Sequence, residues 1–230
     1  MEGLDTLLAL SAAGLLRPRS GIYAVVLAAG MSRRMGFNKL LAPLCGKRVL
    51  WHVLELVARF EGVLEGAVVV TSGEVADVLR RERPPGRRGL FRVVVNREQW
   101  RGLSHSIRLG VEASPGARAY LFFNGDRPFV SKHTVARVLA LYMARRPLIA
   151  APMAGGAIAP PVVVDSRLRG ELLRLSGDTG VRSLFGKYRD SLAVVEVDDP
   201  GLHLDVDTPE DLERASKMCS QLGGGPREKP

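Results

Sequence analysis

The sequence has 230 residues, of which 46% are hydrophobic and 25% are charged. This balance is typical of a globular α/β domain, and no apolar run reaches the roughly 18 residues that a membrane span requires. The formal net charge of +9 suits phosphate-bearing partners in general and does not choose among them. Cys45 and Cys219 form no Cys-x-x-Cys pair, so we expect neither a zinc site nor a disulfide, and we expect a cytoplasmic protein.

Apolar runs alternate with helical periodicity along most of the chain. Residues 1–20 are interpreted as an N-terminal extension with a short helix, residues 21–222 as one domain, and residues 223–230 as a flexible tail. The alternation predicts a doubly wound, mostly parallel central sheet in a three-layer α/β/α arrangement, which binds ligands at the carboxyl ends of its strands. Strands are predicted at 23–27, 67–71, 91–95, 119–123, 148–151, 162–164, 192–197 and 204–206, and helices at 49–60, 73–81, 104–112, 131–145, 169–175, 179–188 and from Pro209 onward.

The first predicted strand leads directly into a loop of small and basic residues. Ala28, Ala29 and Gly30 leave backbone N–H groups accessible to a phosphate, and Arg33 and Lys39 supply positive charge. The spacing of Gly30, Gly36 and Lys39 does not match a P-loop, and no Gly-x-Gly-x-x-Gly follows the strand. The segment therefore predicts a different kind of nucleotide polyphosphate site.

Two acidic groups are candidates for a magnesium site. Asp126 ends an otherwise apolar run, where a carboxylate could hold Mg²⁺, although it could also cap the helix that follows. Asp205 and Asp207 would share a face of an extended strand. We favour Asp207 as the second ligand because it is nearer the turn, and we keep Asp205 in reserve.

The motifs carry a family resemblance. Residues 27–39 resemble the signature Leu-Ala-Ala-Gly-x-Ser-x-Arg-Met-Gly-x-x-Lys of nucleotidyltransferases with a Rossmann-like, glycosyltransferase-A-like fold, and more narrowly that of the molybdenum cofactor cytidylyltransferase group. Residues 125–130, 177–182 and 205–212 are similar to further motifs of that group, in the same order. Residues 157–159 are more apolar than the corresponding family segment.

The resemblance implies a role for each matching residue. Catalysis would rest on Lys39, Arg33 and Asp126, with Mg²⁺ on Asp126 and Asp207. Asp178, Gly180 and Arg182 would lie on the acceptor side, although Asp178 could equally be a helix N-cap. The nucleotide would contact Leu27, Ala28, Ala29, Gly30, Ser32, Arg33, Lys39, Gly102, Leu103, Ser104 and Ser106.

The implied reaction moves CMP from CTP to the terminal phosphate of a molybdopterin-type molybdenum cofactor and releases pyrophosphate. CTP is favoured because Ala28-Ala29-Gly30 is typical of the cytidylyl group, whereas guanylyltransferases tend to carry Ala-Gly-Gly. The apolar residues 157–159 leave open another acceptor, such as a sugar or polyol phosphate, and GTP ranks below CTP. The implied partners are CTP and the phosphate acceptor. Molybdoenzymes or their chaperones are possible further partners that the sequence does not decide. A basic nucleic-acid-binding protein is the alternative from another class.

Overall fold

A mostly parallel eight-stranded sheet forms the centre of the structure, a computed structural model that describes residues 20–30 and 35–222. The strand order is β10-β7-β9-β6-β1-β4-β5, with β8 paired to β7, and β2 and β3 form a separate hairpin. The strands are β1 (Ile22–Ala28), β2 (Pro43–Leu44), β3 (Lys47–Arg48), β4 (Gly66–Thr71), β5 (Phe91–Val95), β6 (Ala119–Asn124), β7 (Ile149–Ala154), β8 (Ala157–Ile158), β9 (Val162–Asp165) and β10 (Leu192–Glu196).

The sheet has one parallel half and one mixed half. Strands β6, β1, β4 and β5 run parallel, so their carboxyl ends meet at one edge. Strand β9 is antiparallel to both β6 and β7, whereas β10 pairs with β7 in parallel. The predicted fold class is thus confirmed. The sheet is mostly rather than wholly parallel because β9 is antiparallel to its neighbours.

The helices cover both faces of the sheet. Those that begin with a serine cap are α2, where Ser72 accepts a hydrogen bond from the N–H of Val75, and α4, where Ser131 accepts one from His133. Among the described helices none is long and apolar enough to cross a membrane. The helices are α1 (Val49–Ala58), α2 (Gly73–Arg81), α3 (Leu103–Glu112), α4 (Lys132–Arg145), α5 (Arg169–Arg174), α6 (Leu184–Lys187) and α7 (Pro209–Leu222).

The central strand explains why the core has two parts. Ala24 and Val26 of β1 pack in one apolar cluster with α1, α2 and α4. Val25, between them, packs in a second cluster with α3, α5 and α6. Because successive side chains of a strand point to opposite faces, a strand buried on both sides must be apolar at every position. The sheet is therefore fixed between two helical layers, and its carboxyl edge is left for a site.

Several predicted elements differ from the structure. Residues 204–206 form no strand, because they follow a 3-10 turn (Pro200–His203) and lie outside the sheet. The predicted helix 179–188 is instead a 3-10 turn (Val181–Ser183) followed by the short α6. The predicted N-terminal helix and the C-terminal tail lie outside the described residues.

A disulfide joins Cys45, in the turn between β2 and β3, to Cys219 in α7. The expectation of no disulfide is therefore wrong. The two cysteines are 174 residues apart in sequence, and they meet because α7 packs Ala215 against Ala42 and Leu44 of the hairpin region. Stable disulfides are rare in the cytosol of most organisms, so the cytoplasmic location stays a prediction.

We expect Cys219→Ser to lower the free energy of unfolding by about 2–5 kcal/mol, since a disulfide that closes so long a loop restricts the unfolded chain. Urea denaturation of the variant and of the wild type, each with and without reductant, measures this. Reductant should bring the wild type to the stability of the variant and leave the variant unchanged. Equal urea midpoints for the oxidised wild type and the variant would contradict the expectation.

Candidate active site

The loop that follows β1 lies at the carboxyl edge of the sheet, as predicted. Ala28 and Ala29 are buried, and Gly30 is exposed with open space where a Cβ would stand. The backbone is thus accessible at Gly30, as a phosphate-binding loop requires. Ser32 and Arg33, two further predicted ligands, lie outside the described residues.

Lys39 joins two carboxylates at this edge. Its ammonium nitrogen lies 2.6 Å from Oδ2 of Asp126 and 2.5 Å from Oδ1 of Asp207. Lys39 is only 8% exposed, and the side chains of Asp126 and Asp207 are 23% and 32% exposed. Three predicted residues from distant parts of the sequence therefore form one cluster.

Each member of this cluster is held by its local structure. Lys39 begins a 3-10 turn whose cap is Asn38, which accepts a hydrogen bond from the N–H of Leu40. Asp126 follows β6 by two residues, and its backbone carbonyl accepts a hydrogen bond from the N–H of Val206. That bond ties the end of β6 to the segment that carries Asp207, and so it brings the two carboxylates together.

The start of α7 fixes Asp207. Oδ2 of Asp211 accepts hydrogen bonds from the N–H groups of Asp207 and Thr208, at 3.1 and 2.9 Å. Oγ1 of Thr208 accepts one from the N–H of Asp211 in return, which is the reciprocal pattern of a capping box. Asp211 has no expected part in the chemistry, yet it orients the residue that does.

The electrostatics of the cluster keep Lys39 charged. Burial by itself would lower the pKa of Lys39, but the charges and hydrogen bonds of Asp126 and Asp207 outweigh it, so the pKa lies above its ordinary value. Lys39 is therefore an ammonium at neutral pH. It neutralises part of the negative charge that the two carboxylates bring to the site.

The cluster also fits a hard divalent cation. Oδ1 of Asp126 is buried and has no hydrogen-bond partner among the described residues, so it is available to an incoming cation. Within residues 20–30 and 35–222, no group of three or more His, Cys, Asp or Glu residues is arranged to hold a metal ion. Two carboxylates suffice for Mg²⁺, which commonly takes one or two of them together with substrate phosphates and water.

Asp205 does not join the cluster. Its Oδ2 lies 3.3 Å from Nη2 of Arg127, and its side chain is 41% exposed. In the predicted extended strand, the side chains of Asp205 and Asp207 would share a face. Since residues 204–207 form a loop, Asp207 reaches Lys39 while Asp205 reaches Arg127.

A cleft of about 290 Å³ opens beside the cluster. Of the predicted nucleotide contacts, Gly102, Leu103 and Ser106 line it, whereas Ala28, Lys39 and Ser104 do not. Ser104 is buried and donates its N–H to the carbonyl of Gly177. The full lining is Leu27, Ala29, Gly30, Gln99, Gly102, Leu103, Ser106, Asn124, Asp126 and Asp178.

Asp178 closes one side of this cleft. Its Oδ1 accepts a hydrogen bond from the N–H of Leu103, in the first turn of α3. Asp178 thus caps α3, and its partner Leu103 lies 75 residues earlier in the sequence. Gly102 permits this contact, because a Cβ there would stand 2.4 Å from the carbonyl carbon of Gly177.

A second cavity of about 260 Å³ adjoins the cleft. Leu27, Leu103 and Asn124 line both spaces and so form their common wall. Gly180 and Arg182, predicted on the acceptor side, line the second cavity, whereas Asp178 lines the first. The remaining lining is mostly apolar: Ile107, Phe122, Ala157, Ile158, Ala159, Pro160, Val162, Val181 and Phe185, with Arg127 and His203 as further polar residues.

Gln99, Asn124, Arg127 and His203 are polar residues of these walls that the sequence patterns did not single out. Asn124 gave a usable signal, since it is a polar residue at the carboxyl end of an apolar strand and two residues before Asp126. Arg127 also stands next to Asp126, within a motif position that the family resemblance leaves unspecified. Gln99 lies in a 3-10 turn before α3, and its position depends on tertiary contacts.

Comparisons with known proteins agree with this geometry. The family described as MobA-like NTP transferase domain matches residues 24–192. The purine catabolism protein PucB of Bacillus subtilis is 31% identical over 205 residues, which make up 86% of this chain and 98% of PucB. The molybdenum cofactor guanylyltransferase of Rhodobacter capsulatus is 33% identical over 124 residues, 52% of this chain and 58% of that protein.

A solved structure is similar over most of the chain. Rv0371C from Mycobacterium tuberculosis, in complex with manganese, is 26% identical with a TM-score of 0.68, and the match covers 85% of this chain and 98% of that one. The manganese belongs to that protein.

We expect Gly102→Ala to destabilise the protein by about 2–4 kcal/mol, because the new methyl group meets backbone atoms and the residue has a positive φ of 85°. Gly156→Ala is the matched control, since its φ of 78° is similar but no heavy atom lies within 4 Å of the added Cβ; it should cost only about 1 kcal/mol. Urea denaturation and titration with a nucleotide compare the two. Similar losses in both variants would show that the contact with Gly177 is unimportant.

Proposed function

This chain belongs to the MobA-like NTP transferase family, and from that premise we propose that it transfers CMP from CTP to the terminal phosphate of a molybdopterin-type cofactor. The observation that carries the proposal is the pair of adjoining cavities, the first of which is lined by Asp126, the carboxylate that pairs with Lys39. Two substrates that react with each other need neighbouring sites with the charged groups close to both. The acidic and basic cluster supplies those groups.

The nucleotide belongs in the cleft between the loop after β1 and the start of α3. Small residues line it where the polyphosphate would approach, and Gly102 and Ser106 line the opposite side. CTP is proposed from the sequence pattern, since Ala28-Ala29-Gly30 is typical of the cytidylyl group whereas guanylyltransferases tend to carry Ala-Gly-Gly.

The acceptor belongs in the second cavity, with its phosphate toward the common wall. An oxygen of that phosphate would form a bond to the α-phosphorus of CTP. The bond from this phosphorus to the bridging oxygen of the β-phosphate would break, and its electron pair would leave with pyrophosphate. An acceptor phosphate is already ionised near neutral pH, so the step requires positioning and charge stabilisation rather than a general base.

Lys39 would stabilise charge on the α-phosphate. Its ammonium already lies beside Asp126, a residue of the cleft wall, so it can reach a phosphate oxygen by exchanging one carboxylate partner. Asp126 and Asp207 would hold Mg²⁺, which would neutralise part of the charge on the substrate phosphates. Arg33, a positive charge three residues after Gly30 in sequence, is proposed for the β- and γ-phosphates.

A second candidate function follows from the apolar second cavity. Ala157, Ile158 and Ala159 all line it, where the family resemblance leads us to expect more polar residues. The same reaction on another organic phosphate would keep the roles of Lys39, Asp126 and Asp207. The acceptor, rather than the chemistry, distinguishes the two candidates.

We expect pyrophosphate release with Mg²⁺ and CTP only when molybdopterin that already carries molybdenum is present. The measurement compares CTP, GTP, ATP and UTP, each with and without that acceptor. Release with CTP and only a sugar or polyol phosphate would replace the acceptor, and release with GTP alone would replace the base. No release with any pair would contradict the proposed reaction.

We expect Lys39→Met to lower kcat by about 10²–10³-fold, as the loss of one preorganised charge in a transition state does. The same variant should bind Mn²⁺ more tightly without nucleotide, because the competing ammonium is gone from between the two carboxylates. Steady-state kinetics and Mn²⁺ titration measure the two effects. Lys47→Met is the control, since Lys47 pairs with Glu55 beside the hairpin, whereas Lys39 pairs with Asp126 and Asp207. A near-normal kcat in Lys39→Met would exclude the assigned role.

A further inference from the structure

We propose that Arg127 binds the phosphate of the acceptor and thereby selects an organic phosphate with an apolar body. The inference rests on the proposed transfer to a phosphate acceptor and deepens it by naming the residue that recognises this group. Arg127 follows Asp126 directly in sequence and lines the second cavity. It is thus a positive charge within the acceptor space and next to the reacting cluster.

The guanidinium of Arg127 is held in place but not saturated. Nη1 donates to the carbonyl of Leu202 at 2.7 Å, and Nη2 donates to Oδ2 of Asp205 at 3.3 Å. Nε is buried and has no hydrogen-bond partner among the described residues. A guanidinium carries five N–H donors, so at least the Nε donor remains for a ligand.

This arrangement is unfavourable without a ligand. The Arg127 side chain is only 15% exposed, and a buried donor of a charged group is costly to leave unpaired. Asp205 offsets the charge weakly, because the contact is long and Asp205 itself is partly solvated. A phosphate would supply both the missing acceptor atom and the missing negative charge, and a guanidinium fork suits phosphate geometry.

The surroundings define the rest of the ligand. Beyond Arg127, the charged or titratable residues that line the cavity are Arg182 and His203, both exposed at the surface. Ile107, Phe122 and Phe185 contribute apolar walls. A phosphate at Arg127 would therefore carry an apolar or flat ring body in the cavity. Its reacting oxygen would lie near Asp126 and the wall shared with the nucleotide cleft.

Arg127 also contacts the loop that leads to Asp207, so a purely structural role must be separated from recognition. Loss of a structural contact would move Asp207 and weaken metal and nucleotide binding along with acceptor binding. Loss of a recognition contact would weaken acceptor binding alone. Asp205→Asn removes the carboxylate partner of Arg127 and keeps its bond to Leu202, so it disturbs the loop contact without removing the guanidinium.

The experiment uses the full chain with phenyl phosphate as a probe, so that it does not depend on the natural acceptor. We expect the wild type to bind phenyl phosphate, and Arg127→Met to weaken this binding about 10- to 100-fold, the range for a hydrogen bond to a charged group. Binding of the non-reacting analogue α,β-methylene-CTP with Mg²⁺ should change less than about twofold, a shift well below one hydrogen bond. Arg127→Lys, which keeps a cation but not the fork, should be intermediate, and Asp205→Asn should not weaken phenyl phosphate binding.

Three results would overturn the inference: no binding of phenyl phosphate to the wild type, unchanged binding in Arg127→Met, or equal weakening of probe and nucleotide analogue. Circular dichroism checks that Arg127→Met folds. If it does not fold, the two separate variants Arg127→Lys and Asp205→Asn decide whether Arg127 binds the phosphate. With molybdenum-loaded molybdopterin as substrate, Arg127→Met should raise the acceptor KM by the same factor. If the wild type binds the probe through Arg127 but transfers no CMP to that cofactor, the acceptor assignment fails and the role of Arg127 stands.

Discussion

The contact between Lys39, Asp126 and Asp207 is the constraint on which the rest of the site depends. Lys39 is separated from the two aspartates by 87 and 168 residues, so the cluster exists only when β1, β6 and the start of α7 are all in place. Bringing an ammonium and two carboxylates out of water is costly, and their attraction does not always compensate. We therefore interpret the cluster as a requirement of function, which the apolar layers on both faces of the sheet stabilise.

The segment that carries Asp207 is held by contacts outside the strand pairing of the sheet. Asp199 accepts hydrogen bonds from the N–H of Ser131 and the hydroxyl of Thr134, at the start of α4. Farther along, Arg127 and the carbonyl of Asp126 bind the same segment, and the disulfide anchors α7 beyond it. Asp207 is thus placed by contacts at the starts of two helices, and those contacts join the stability of the C-terminal region to the geometry of the catalytic edge.

What could be predicted from the sequence is what depends on local pattern. The sequence predicts strand β1 because burial on both faces demands an uninterrupted apolar run. It indicates Asp126 because an acid follows such a run, and Lys39 because it is a cation of the small, basic loop that the family signature covers. The pairing of Asp205 with Arg127 could not be predicted from the sequence. Residues 204–206 were expected to form a strand, and only the tertiary contacts show that they form a loop. The disulfide and the cap from Asp178 to α3 join residues 174 and 75 positions apart, and sequence periodicity carries no information about such pairs.

Under the proposed function, the two cavities would recognise their substrates through different kinds of group. In the nucleotide cleft, Gly30 and Gly102 offer backbone and little side chain, so recognition there depends on close approach and tolerates few larger residues. In the acceptor cavity, Ile158, Phe185 and Arg127 contribute side chains from three separate segments, which can change one at a time without disturbing the shared wall at Asn124. The reacting cluster belongs to the polar edge between them. Under the proposed function, substitutions around the second cavity would therefore alter the acceptor while the transfer chemistry stays the same, since one fold can carry different substrate sites.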